Sequence, residues 1–310
     1  MDFHQLSCFL AVVEEGSFNR AATRLHKTQP AISYQIKQLE SELSVQLLHR
    51  AARRIIPTQA GQVLAEHARE VVELLRRSRQ AVAQLSERVA GEIRIGTVNS
   101  VGIHFLPDVL RAMNSSYPLV RPTLLYRNSP EIMSALLSNR LDLALVSNPP
   151  AHRKLQFEVI LKEKVSLVVG PSHPFHGRDS VRPNELEGVP FISLTTETPT
   201  GEIIRDFLQR LGLNVDPVVF TDNVETVKKM VEVGIGVAFL PDMVTSENVA
   251  CDGGPPGILS RVEVGPPLTR SIVLVTWKHL VMTPAVAAFI EELRTHARAW
   301  RGCLDPRSAS

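Results

Sequence analysis

Three cysteines in 310 residues, Cys8, Cys251 and Cys303, form no close pair, so neither a disulfide framework nor a zinc knuckle is expected. Apolar runs stop short of a membrane span, and acidic Asp2 stands where a leader would be basic, so a cytoplasmic protein without membrane contact is expected. Catalytic signatures are missing as well. The chain holds no G-x-x-x-x-G-K-[ST], H-E-x-x-H or G-x-S-x-G, and its 10 histidines do not fall at metal-ligand spacing. No enzyme, metal or cofactor is therefore expected. Gly234-Ile235-Gly236 echoes half a dinucleotide fingerprint, but it follows a helical pattern and precedes a strand, the reverse of the order that motif needs. Gly234 reads instead as a helix C-cap. An excess of one charge is lacking too: the net is +2, split as +3 over residues 1–90 and −1 over the rest. Charge thus argues neither for nor against a nucleic-acid partner.

What is present is an ordinary globular composition, 44% hydrophobic and 21% charged, in a chain long enough for two or three domains. Its most informative stretch runs from Thr28 to Glu40. Thr28 is a good N-cap, Pro30 is tolerated in a first helical turn, and Ile32, Ile36, Leu39 and Leu43 fall on one stripe. The other face carries Gln29, Ser33, Tyr34, Lys37 and Gln38, the donors and acceptors that base edges match. Upstream, Ser17 can cap a helix burying Phe18, Ala21, Ala22 and Leu25, and Phe3, Leu6, Phe9, Leu10 and Val13 mark a first helix ending near Gly16. Helix, tight turn and helix suit insertion into a major groove. Downstream, two apolar pieces flank an Arg-rich tip. They read as a hairpin wing that lays Arg50, Arg53 and Arg54 on phosphates.

These residues closely resemble the LysR-type transcriptional regulators. The resemblance rests on Phe9 to Phe18, Ala21-Ala22 with Leu25, Thr28-Gln29-Pro30-Ala31-Ile32-Ser33, Gln38-Leu39-Glu40 and Pro57-Thr58-Gln59-Ala60-Gly61. The family most often has Arg where this chain has Tyr34. DNA contact is expected from Thr28, Gln29, Pro30, Ser33, Tyr34, Lys37, Arg50, Arg53 and Arg54, on double-stranded, two-fold-related half-sites. The resemblance also implies activation or repression, with RNA polymerase as a further partner. Some members sense peroxide through a cysteine pair in the sensory domain. Only Cys251 falls within that domain's body here, so redox sensing is not expected.

From Thr58 one helix is expected as far as Ala90, ended by Gly91. Leu64, Ala68, Val71, Leu75, Ser78, Val82, Leu85 and Val89 hold a 3.5 repeat, the seam of a helix that pairs with another. A dimerising linker over 59–90 follows, in a homodimer or homotetramer, after a winged helix-turn-helix domain over 1–58.

Beyond Gly91 the period alternates. Strand-like patterns at 92–98, 122–126, 141–146, 161–169, 191–194, 218–221, 236–240 and 271–277 interleave with helical ones at 105–113, 132–137, 202–211, 224–233 and 283–299. Such alternation predicts an α/β domain with parallel pairing, in two similar halves. Here too the chain resembles LysR-type regulators, through Tyr117-Pro118, Leu141 to Val146, His173-Pro174 and Val231 to Pro241. The resemblance implies a type 2 periplasmic-binding-protein-like domain over 91–300. One lobe would span 91–161 and 268–300 and the other 162–267, with a disordered tail over 301–310.

In such sheets ligands bind beyond the carboxyl ends of strands, at helix N-termini. Asn99-Ser100-Val101-Gly102 and Asn128-Ser129-Pro130 are polar loops of that kind, although Ser100 and Ser129 can also cap the helices behind them. On the second lobe Thr195 to Gly201 and Asn223 lie correspondingly. Ser100, Gly102, Asn128, Thr195, Thr196 and Asn223 are therefore the expected effector contacts. Free N–H groups favour a small anion, a carboxylate above all. A solute-binding protein or an enzyme on the two-lobed fold is the alternative, but neither has use for a helix-turn-helix.

Overall fold

The computed structural model describes residues 1–51, 54–83, 89–246, 258–278 and 282–304, and the chain divides into two compact units, Met1–Glu87 and Arg88–Ser310. Among the described residues no helix is long and apolar enough to cross a membrane.

The first unit starts with α1 (Phe3–Glu15), whose N-cap Asp2 and third residue Gln5 exchange side-chain hydrogen bonds with each other's backbone N–H. Gly16 ends it in the left-handed region (φ 60°), where a Cβ is costly. Ser17 caps α2 (Phe18–Arg24), and Thr28 caps α3 (Gln29–Leu43), accepting from the Ala31 N–H at 3.4 Å. Phe9, Val12, Ala21, Ile32 and Leu39 are fully buried where the three helices meet. Leu43, expected on that apolar stripe, is 38% exposed. The helix ends there, as Ser44 turns left-handed and carries the last residue off the core.

The wing forms as β1 (Leu48–Ala51) against β2 (Arg54–Pro57), antiparallel. The Glu40 carboxylate accepts from the Leu47 and Leu48 N–H groups at 2.8 and 3.3 Å, and the Ile55 N–H donates to the Gly16 carbonyl. The wing is thus tied both to α3 and to the turn after α1. Then comes α4 (Gln59–Ala83), capped by the Thr58 hydroxyl. A Cβ on Gly61 would stand 2.1 Å from the Leu47 carbonyl oxygen, so only glycine lets the helix lie this close to the wing base. The expected seam divides in two. Ala68, with Leu64 packed beside it, belongs to the helix-turn-helix core, whereas Val71 and Leu75 are exposed, as are Val63 and Leu74. Leu85 and the Val82 side chain lie outside the described residues. Gly91 does not end a helix; it is the first residue of a strand.

The second unit begins with β3 (Gly91–Thr97), α5 (Asn99–His104), α6 (Leu106–Ser116), β4 (Val120–Tyr126), α7 (Ser129–Leu137) and β5 (Leu143–Ser147). β3 lies parallel to both β4 and β5. The chain then crosses on β6 (Leu155–Val169), makes β7 (Ser180–Val181), β8 (Phe191–Leu194), α8 (Pro199–Arg210), β9 (Pro217–Thr221), α9 (Val224–Glu232), β10 (Ala238–Pro241), α10 (Asp242–Thr245) and β11 (Ser260–Val264), and returns on β12 (Thr269–Trp277) before α11 (Pro284–Leu304). The large sheet runs β4-β3-β5-β12-β6-β11-β7, with β10 also on β6, while β8 and β9 form a small parallel pair.

β6 and β12 pair antiparallel along residues 155–164 and so belong to both lobes, with a bulge at Ile272/Val273. β6 starts at Leu155 rather than Leu161: residues 155–160 carry polar Gln156 and Glu158, and pairing with β12 holds them as strand. Residues 99–102, expected as loop, form the start of α5. α11 continues to Leu304, into the stretch expected to be a disordered tail; residues 305–310 lie outside those described.

Candidate functional site

On α3 the residues outside the apolar stripe face solvent. Thr28, Gln29, Pro30, Tyr34, Lys37 and Gln38 are exposed and Ser33 is half-buried. Tyr34, 58% exposed, accepts a hydrogen bond on its hydroxyl from Gln38 Nε2 at 2.8 Å, one helical turn away. The pair fixes both side chains on the outward face and leaves the Tyr34 hydroxyl hydrogen to donate elsewhere. Arg53 and the side chains of Arg50 and Arg54 lie outside the described residues.

In the second unit a cleft of about 370 Å³ opens between the lobes, where α5 and α7 on one side face the starts of α8 and α9 on the other. Of the expected contacts, Ser100, Asn128 and Asn223 line it. Asn128 and Asn223 are also caps: their amide oxygens accept from the N–H groups of Glu131, and of Glu225 and Thr226. Ser100 is not a cap. α5 has Val98 as its N-cap with no side-chain bond there, which leaves the Ser100 hydroxyl for other partners.

Gly102, Thr195 and Thr196 are not among the lining residues. Gly102 lies under the Tyr126 ring, which a Cβ would meet at 2.2 Å, and its carbonyl accepts from the Tyr126 hydroxyl. Thr195 is held in the turn before α8, its carbonyl accepting from the N–H and the hydroxyl of Thr198. Thr196 lines a separate cavity of about 240 Å³ among Phe191, Leu208 and Phe220.

The floor of the cleft was not legible as a site. There Arg270, 3% exposed, donates through Nε to Glu163 Oε1 at 2.8 Å, through Nη2 to Ser100 Oγ at 2.9 Å, and through Nη1 to Thr200 Oγ1 at 3.2 Å. Glu163 completes its own set by accepting from the Met243 N–H at 3.0 Å. Thr200 also meets Ser147 Oγ at 3.3 Å. One guanidinium on the crossing strand β12 therefore touches a hydroxyl from each lobe. Loss of either charged partner alone costs about 3–5 kcal/mol, because the other is left buried and unpaired. No sequence signal marks the pair: Glu163 sits between Lys162 and Lys164 at the start of 161–169, and Arg270 stands just ahead of 271–277.

An exposed polar helix in a helix-turn-helix, followed by a two-lobed α/β unit with a polar cleft, defines a DNA-binding regulator with an effector domain. The chain belongs to the LysR family of transcriptional regulators. Residues 3–62 match the bacterial regulatory helix-turn-helix protein, lysR family, and residues 86–298 match the LysR substrate binding domain. Among its relatives, the regulator AlsR of Bacillus subtilis is 31% identical over 245 residues, 78% of this chain and 80% of that protein. The hydrogen peroxide-inducible genes activator of Dickeya chrysanthemi is 28% identical over 257 residues, 82% of this chain and 83% of that protein. A full-length OxyR variant from Pseudomonas aeruginosa shares the fold, with a TM-score of 0.75 at 21% identity over 96% of this chain and 95% of that one.

Proposed function

We propose that this regulator acts as a cytoplasmic homo-oligomer and not as an enzyme, and that a small carboxylate effector in the interlobe cleft controls its hold on two half-sites. The observation that carries the reading is the cleft itself, about 370 Å³ and lined by hydroxyl and amide groups from both lobes together with Arg127, Glu131 and Asp222. A ligand touching both lobes shifts their arrangement by its differential affinity for the alternatives. DNA contacts are assigned to Thr28, Gln29, Pro30, Ser33, Tyr34 and Lys37 on α3 and to Arg50, Arg53 and Arg54 on the wing. Effector contacts are assigned to Ser100, Asn128 and Asn223. Residues 1–58, 59–90 and 91–300 serve as DNA-binding, linking and sensing segments. Exposed Val71, Leu74 and Leu75 on α4 supply the apolar surface for a second copy.

The peroxide-inducible relatives suggest another stimulus. The residues lining this cleft include no cysteine, and Cys251 lies outside the described residues, so the stimulus proposed is a bound molecule. The test is a thermal-shift screen of small carboxylates and neutral compounds, followed by footprinting with each hit. A compound that binds only the folded state raises its apparent stability. A hit should alter the footprint on operator DNA. Stabilising compounds whose effect survives Asn128→Ala and Asn223→Ala together would place the effector elsewhere.

A further inference from the structure

We infer that Arg270 is the positioning residue that makes the cleft selective for an anionic oxygen group, by turning hydroxyls of both lobes into donors. This rests on the cleft being the effector site and names what recognises the ligand there. The guanidinium has donors only, so each hydroxyl it touches must accept along that direction. Ser100 Oγ accepts from Nη2 at 2.9 Å, and its own O–H hydrogen is forced to point elsewhere. Thr200 Oγ1 accepts from Nη1 at 3.2 Å, so its hydrogen turns toward Ser147 Oγ at 3.3 Å or toward the cavity. Whichever way the Thr200–Ser147 pair is arranged, one hydrogen is left to donate onward. Ser100, Ser147 and Thr200 all line the cleft. A hydroxyl ordinarily donates and accepts with equal ease, and so does not distinguish a carboxylate from its amide. Held by Arg270, these face the ligand as donors.

Glu163 explains why this arrangement selects an anion group without trapping it. Its carboxylate oxygen lies 2.7 Å from Nη2 and neutralises the guanidinium, while both side chains are almost wholly buried. The ligand therefore meets oriented dipoles, not a bare buried cation, and can leave again. Ser100 and Ser147 stand on the first lobe and Thr200 on the second. An oxyanion between them bonds across the cleft, and the same contacts that choose the ligand hold the lobes together.

The test uses the full-length protein and three carboxylates, acetate, benzoate and succinate, each beside its neutral amide, acetamide, benzamide and succinamide. Dissociation constants come from ligand-observed NMR. At least one carboxylate should bind about tenfold or more tightly than its amide, the worth of a charge-assisted hydrogen bond. Ser100→Ala should reduce that preference. Glu163→Gln combined with Arg270→Gln removes both charges together and should abolish the preference while the melting transition persists. Thr200→Val, which keeps the shape and loses the hydroxyl, gives the same answer without touching the ion pair. If the amides bind as well as the carboxylates and Ser100→Ala weakens both, the cleft is a ligand site and the anion selectivity is wrong. Selectivity that survives the double glutamine variant removes Arg270 from the role. Absence of binding by every probe, or binding untouched by Ser100→Ala and Thr200→Val, overturns the inference and the cleft assignment together.

Discussion

His104 Nε2 on α5 lies 2.7 Å from Glu225 Oε1 on α9, a bond from one lobe to the other beside the cleft. Lys228 holds the second carboxylate oxygen at 3.0 Å and donates to the Val244 carbonyl. Burial pushes the Glu225 carboxyl up, but hydrogen bonds from His104 and Lys228 outweigh it and hold it below the usual carboxylate range. A depressed carboxyl contributes stability that is present above its unfolded value and is lost as pH falls through the folded one. Glu225→Ala is expected to cost about 1–3 kcal/mol at neutral pH and to speed amide hydrogen exchange in α5 and α9. The stability difference from the native chain should shrink as pH falls below about 4.5, the usual range for such a carboxyl. A difference that grows as pH falls below about 4.5 would contradict this account.

On α3, Gln29→Ala should weaken binding to the cognate operator by roughly 1–3 kcal/mol, if its amide pairs with an adenine edge, and should spare random DNA. Arg53→Ala tests the opposite role. A phosphate contact predicts weaker binding to every sequence and a salt dependence flattened by about one unit of slope. Fluorescence anisotropy on specific and random duplexes over a salt series separates the two. Equal losses for both variants on both duplexes would dissolve the distinction.

Along α4, Leu75→Glu places a carboxylate in the apolar surface formed with Val71 and Leu74. In a helix pair that charge is buried without a partner. Sedimentation at micromolar concentration should show dissociated chains, and operator affinity should fall, since one half-site grips weakly alone. A variant still oligomeric at that concentration would remove α4 as the contact. Leu64 and Ala68, which continue the same heptad, are poor choices for this experiment. They pack in the helix-turn-helix core, and their replacement tests folding instead.

That division of one heptad marks how far the sequence could be read. Period 3.5 reports that a stripe is apolar, not which neighbour covers it, so the seam was legible and its partition was not. The three helices, their caps Ser17 and Thr28, and the alternation in the second unit were legible because each depends on residues a few places apart. β7 and β11 were missed because their pairing is with distant strands, and α5 because Asn99-Ser100 followed by Gly102 reads as a turn. The cleft floor was hidden for the same reason at longer range. Arg270 is 107 residues from Glu163 and 170 from Ser100, and no spacing rule connects them. Thr195 and Thr196 were credible from composition, yet Thr200, a few residues on, is the threonine that reaches the floor, because α8 begins at Pro199 and directs its first turn there.

Gly201 shows how that first turn is placed. A Cβ there would stand 2.1 Å from the Thr195 carbonyl oxygen and 2.9 Å from that of Leu194, both backbone atoms that cannot rotate aside. The Gly201 N–H meanwhile donates to the Thr198 hydroxyl at 3.1 Å, so the turn is pinned at the residue that must lack a side chain. Gly201→Ala forces α8 away from the end of β8 and should cost about 1–3 kcal/mol, as overpacked sites do. The displaced residue next to it is Thr200, whose bonds to Arg270 and Ser147 are already long at 3.2 and 3.3 Å. Effector affinity should therefore fall by more than stability alone explains, while binding to operator DNA without effector stays near that of the native chain. Melting temperature, operator affinity and the carboxylate dissociation constant on one preparation decide it. A lowered melting point with unchanged carboxylate affinity would mean that the fit of Gly201 serves folding alone.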